Sequence, residues 1–153
     1  MPDATNTTDA NSPFASVTVT KTVTKRQVQN LLVGLFENGC SSWFLGVQAR
    51  RLPDNLMRSD FKEGGKMQDP DCYFHPYQII PVTEGCALAL TVENPLSDKP
   101  LKFWMGPAEI RKGVEVMASK YPRHFQDWME ENDDAITSDI FGQCIVYGEE
   151  IFC

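Results

Sequence analysis

The 153-residue chain is first informative for what it has little of. No apolar run approaches the roughly 18 residues of a membrane span, which excludes an ordinary transmembrane helix. The start of the chain, Met1 to Pro13, has neither the basic opening nor the apolar stretch of a secretory signal. The Asn6-Thr7-Thr8 sequon therefore carries no expectation of glycosylation. Histidine occurs only at His75 and His124, which leaves little material for metal ligation or general-base chemistry. Five cysteines, Cys40, Cys72, Cys86, Cys144 and Cys153, form an odd and widely spaced set. Disulfide frameworks belong to small secreted domains, so reduced thiols in a cytoplasmic protein are expected, with Cys86 and Cys144 in the core. Lysine and arginine are absent after Arg123.

That last absence shapes the electrostatics. Residues 107–153 hold ten acids against four bases, a balance of −6, whereas residues 1–106 hold eleven against ten, a balance of −1. Nearly all of the net charge of −7 is thus at one end of the chain. Such a field repels DNA, RNA and anionic membranes and favours basic protein surfaces.

An apolar content of 42% is enough for a self-sufficient core in one domain of this length. Residues 1–14 have almost nothing to bury and read as a disordered tail. Val17 to Thr24 alternates strictly with β-branched residues, the pattern of a half-buried strand. Thr24 and Gln27 have capping-box spacing, and Val28, Leu31, Leu32, Leu35 and Phe36 form the apolar face of the helix they open, with Gly39 as its stop. A second strand is expected over Ser42 to Gln48. Residues 49–76, with Arg50-Arg51, three prolines and Gly64-Gly65, predict a long irregular loop with a short helix near Asp54 to Arg58; connections of that length are usually functional or mobile.

Tyr77 to Thr83, Cys86 to Glu93 and Leu101 to Met105 read as an antiparallel meander, because their links are too short for parallel crossovers. Pro81 places the first of these at an edge or bulge. Pro107 suits the first position of a helix carrying Ile110, Val114, Met117 and Tyr121. Pro122 starts a second helix, anchored by Phe125, Trp128 and Met129. Asp133 or Asp134 caps a third, whose buried positions are Ile136, Ile140, Phe141, Cys144 and Ile145. The expected architecture is a single α+β domain over residues 15–153: an antiparallel sheet of about five strands, an N-terminal helix and three C-terminal helices.

Motifs that suggest chemistry do not survive their requirements. Cys72-Tyr73-Phe74-His75 holds two zinc ligands, but a structural site needs four and no second pair has ligand spacing. His124 and Asp127 lie one helical turn apart with no nucleophile beside them. Ser59-Asp60-Phe61-Lys62 matches S-x-x-K without its companion motifs. Gly64-Gly65-Lys66 lacks the first glycine and the hydroxyl residue of a phosphate loop. No cofactor, no metal and no catalytic residue is expected. The acids are different. Asp133 and Asp134 are explained by capping, but Glu130 and Glu131 fall near a helix C-terminus, where the macrodipole disfavours negative charge. Asp127, Trp128, Glu130, Glu131, Asp133, Asp134 and Asp139 form the candidate partner-binding set.

The segments Met117 to Phe125, Glu131 to Ala135, Ser138 to Gln143 and Tyr147 to Glu149 resemble a region of small bacteriophage-encoded proteins, as do Leu31 to Gly39 and the nearby Trp43. The resemblance implies phage origin and a host bacterial cytoplasm, and it carries no catalytic residues with it. Together these readings lead to a binding protein rather than an enzyme, one that meets a host defence or nucleic-acid-handling protein through the acidic helical end. Two alternatives stand beside it: a small enzyme or metal- or nucleotide-binding protein using Arg50, Arg51, Cys72 and His75 of the 49–76 loop, or a homo-oligomeric structural or replication component.

Overall fold

The computed structural model describes residues 9–37, 41–62, 64–67 and 76–153. The first helix, α1 (Lys25–Glu37), opens on the capping box expected of it. The Thr24 hydroxyl accepts from the Gln27 amide at 3.2 Å, and the Gln27 side-chain oxygen accepts from the Thr24 amide at 2.9 Å. Leu31, Leu32 and Leu35 point from α1 into the core, each at most 2% exposed. Gly39 lies outside the described residues.

Among the described residues three strands follow, where five are expected. β1 (Phe44–Arg51), β2 (Ala87–Val92) and β3 (Leu101–Met105) form one antiparallel sheet in that order. β2 pairs with β3 through Leu88–Met105, Leu90–Phe103 and Val92–Leu101, which puts these side chains on one face. β1 pairs with β2 through two irregularities, between Phe44 and Gly46 and between Val47 and Ala49. Arg50 and Arg51 belong to β1 rather than to a loop.

Two expected strands fail for separate reasons. Tyr77 to Thr83 is instead a helical turn, α2 (Pro76–Ile79), running into a 3-10 turn over Ile80–Val82. Pro76 and Pro81 hold helical φ values and lack the amides a ladder needs, while Ile79, Ile80 and Val82 still reach the core. Val17 to Thr24 pairs with no strand among the described residues, and Val17 and Val19 lie in solvent. Alternation creates a strand only where a neighbouring backbone is free to receive it. The helix expected near Asp54 is displaced to a 3-10 turn at Arg58–Phe61, where the Asp60 carboxylate accepts from the Met57 amide at 2.6 Å and Phe61 is buried.

The last third forms three helices at the positions its prolines and caps indicate: α3 (Pro107–Lys120), α4 (Pro122–Met129) and α5 (Ala135–Val146). α5 lies at the centre of the helical layer, with Ile140 to Ile145 all buried. Ile136, expected in the core, faces solvent at 61% exposure, since it lies in the first turn beyond the packed stripe. Burial pushes the Cys144 thiol up to about 12 and raises that of Cys86, so both behave as small core residues, while Cys153 is exposed. Among the described residues, no helix is long and apolar enough to cross a membrane.

Candidate functional site: the acidic turn between α4 and α5

α4 is short and held by its aromatic residues. Trp128 is 2% exposed; its indole N–H donates to the Gln27 carbonyl at 3.2 Å, and its ring meets Phe141 and Phe125 at centroid distances of 5.2 and 5.9 Å. It ties α4 to α1 and α5 and offers no surface to a partner. Asp127 is half-buried, and its carbonyl helps to end the helix.

That ending places the acids. The Glu131 amide donates to the Trp128 carbonyl at 3.1 Å and the Asn132 amide to the Asp127 carbonyl at 2.8 Å, the paired bonds of a Schellman motif. The motif requires a left-handed residue after the cap, and here it is Glu131, at φ 58°. Glycine is the usual occupant because a side chain in this conformation costs roughly 1–2 kcal/mol. Glu130, Glu131, Asn132, Asp133 and Asp134 are all exposed. Glu130 accepts from the Gln126 side-chain amide at 2.8 Å. Both glutamates stand at the negative end of the α4 dipole, where like charge is unfavourable by a few tenths of a kcal/mol to about 1.

Asp134 has a structural task. Its carboxylate accepts from the Thr137 amide at 2.8 Å and caps α5. That amide, then the Thr137 hydroxyl, the nearby His124 and the Ile136 amide, hold the carboxyl below the usual carboxylate range, with desolvation opposing them. His124 itself lies 3.2 Å, through Nδ1, from the Thr137 hydroxyl. Because the folded value lies below the unfolded one, the stabilisation is present above the unfolded pKa and is lost as pH falls through the folded value. Asp134→Ala should therefore cost about 1 kcal/mol near neutrality, Asp134→Asn much less, and alanine and wild type should converge in acid. Urea midpoints near pH 7 and near pH 2 check this.

Asp139 is also internal. One carboxylate oxygen accepts from the Trp43 indole N–H at 2.7 Å and the other from the Gln143 amide at 2.8 Å. Gln143, fully buried, also donates to the Phe152 carbonyl and accepts from the Ile151 and Phe152 amides at 2.7–2.8 Å, binding the C-terminal strap to α5. Of the seven candidate residues, the structure thus gathers Glu130, Glu131, Asp133 and Asp134 on one exposed turn, leaves Asp127 half-buried beneath it, and assigns Trp128 and Asp139 to internal contacts.

The opposite region of interest is the outer face and free edge of the sheet. Trp104, half-buried, lies across from Ala89, with the Arg51 guanidinium 4.3 Å and the Lys102 ammonium 5.0 Å from its ring centre. It is a cation–π cluster on the outer face of the sheet. Beside it, a cleft of about 530 Å³ is lined by Val47, Gln48, Ala49, Arg50, Leu52 and Arg58. Among the described residues this lining offers cations and an amide, with no nucleophile and no general base. Cys72 and His75 lie outside the described residues, among which no group of three or more histidines, cysteines and carboxylates is placed to hold a metal ion.

The edge cleft was missed in the sequence because Arg50 and Arg58 converge only through the fold. Gln143 was legible in part: it is an amide in the middle of an otherwise apolar helix face. No protein-family model, curated protein or solved structure matches the chain.

Proposed function

We propose that the chain is a bacteriophage accessory protein that acts by binding, presenting the α4–α5 turn to a basic surface of a host protein. The observation that carries this reading is Glu131. A carboxylate occupies a left-handed position where glycine costs less, at a helix end where negative charge is unfavourable, next to a second glutamate. Residues that break a local rule without a local gain are candidates for function. Phage origin is supported by the resemblance of the Leu31 to Trp43 and Met117 to Glu149 segments. The host cytoplasm follows from that origin.

The experiment is affinity purification from infected cells with wild type and with Glu130→Lys/Glu131→Lys/Asp133→Lys, sparing the cap at Asp134. The triple variant should lose a basic partner by about a hundredfold or more, since like charges brought together at an interface cost several kcal/mol. Its unfolding midpoint should be unchanged or raised. Glu131→Gly sharpens the test: the fold should gain about 1 kcal/mol while the partner binds more weakly. Partner retention by the triple variant with wild-type salt dependence rules the proposal out.

A further inference from the structure

The segment Val17 to Thr24 has the composition and alternation of a strand, yet Val17 to Thr22 stand in solvent and only Val23 and Thr24 are tied down. Phe14, Val17 and Val19 are 103%, 83% and 72% exposed, and residues 13 to 23 make no hydrogen bond to any described residue. Exposed β-branched residues in alternation are a surface without a partner.

β1 has the complementary deficit. The sheet order leaves one side of this strand unpaired among the described residues, and Leu45 and Val47 are 47% and 41% exposed. A row of free amides and carbonyls beside exposed apolar side chains is a template for another strand. The free part of the arm, Val17–Thr22, fits within the length of β1, Phe44–Arg51.

Charge selects the direction. Residues 1–20 carry Asp3 and Asp9 and no base. β1 ends on Arg50-Arg51, and Arg58 follows, all three exposed. Antiparallel addition puts the chain that leads from Asp9 into the arm at that basic end and takes Lys21 away from it. The other edge is a poorer template: β3 is only five residues long and offers one exposed apolar side chain, Leu101, beside Lys102. Lysine on an edge strand deters pairing.

The anchor of the arm argues for exchange between molecules. Val23 and Thr24 line a cleft with Val28, Val82, Pro107 and Ile110. From this anchor the arm runs on without pairing with the β1 edge of its own molecule.

We infer that the Val17–Thr22 arm of one copy adds as an antiparallel strand to the β1 edge of a second copy, and that reciprocal exchange closes a two-fold dimer. The inference is independent of the acidic turn, because its residues and its readout are different.

Light scattering across a concentration series tests it. The mass of the wild type should rise towards twice that of the monomer. Val17→Asp/Val19→Asp, altered in the arm, and Leu45→Lys/Val47→Lys, altered at the edge, should each remain monomeric. All four positions are exposed, so unchanged circular dichroism is expected and separates lost association from lost fold. Mixed in equal amounts, the two variants should associate again through one junction, since the first keeps its edge and the second its arm. A wild type that stays monomeric up to about 1 mM overturns the inference. So does an association that the arm variant leaves intact, or a mixture that fails to associate.

Discussion

Trp43→Ala should cost about 3–5 kcal/mol of stability, read as a lowered urea midpoint at unchanged slope. Trp43 is fully buried just ahead of β1, with its ring edge-on to Tyr147 at 5.7 Å and against the face of α5 at Gly142. Truncation opens a cavity between β1, α1 and α5 that these elements can only partly close, because each is held elsewhere. It also strips the donor from one oxygen of Asp139. A buried acceptor left unmade adds a further penalty of about 1–3 kcal/mol where water cannot reach it. Trp43→Phe separates the two effects: it keeps most of the packing and removes only the donor. Total stabilities run to roughly 5–15 kcal/mol, so the alanine variant should lie near the folding threshold. An alanine midpoint close to wild type would show that this tryptophan does not join the layers.

Gly113→Ala and Gly142→Ala should each destabilise the protein, against the intrinsic preference of a helix. Alanine is favoured over glycine in a helix interior by about 1 kcal/mol. The surroundings outweigh that gain. A Cβ on Gly113 would lie 2.4 Å from Ile145 Cγ1 and 3.0 and 3.1 Å from its Cα and backbone nitrogen, so α3 and α5 would have to separate. On Gly142 it would meet Leu35 at 2.6 Å and the Trp43 ring at 2.8 and 2.9 Å. Overpacking a filled core typically costs about 1–3 kcal/mol, and the Gly113 contacts with backbone cannot be relieved by a rotamer change. A net loss of about 1–2 kcal/mol is expected for each, with Gly113 the larger. Thermal unfolding of the two variants checks it, and a rise in midpoint at Gly113 would mean that the α3–α5 crossing yields to the added methyl group.

Helices were read from the chain more completely than strands, for a physical reason. α1, α3, α4 and α5 carry their own punctuation: the Thr24–Gln27 box, Pro107, Pro122 and the Asp134 cap act on amides within one or two turns. Periodicity then names the buried face without knowledge of the partner, although Ile136 shows its limit in the first turn. A strand has no such local closure. Val17 to Thr24 and Tyr77 to Thr83 look at least as strand-like in sequence as Phe44 to Arg51, yet only the last is paired. What separates them is a neighbouring backbone for β1 and two prolines in the 76–82 stretch.

The candidate site divides in the same way. The chain alone marks Glu130 and Glu131 as ill-suited to a helix end, because that judgement needs only their position in α4. It also sets the one-sided charge, the cap at Asp134 and the helix start at Pro107. The tertiary structure decides the rest: that Trp128 and Asp139 serve internal contacts, that Glu131 is left-handed, that Arg50 and Arg58 share a cleft, and that the Val17 arm lies beside no strand of its own sheet. Each of these depends on distances between residues far apart in sequence. Composition and periodicity say which side chains must leave water or stay in it, and only packing says against what.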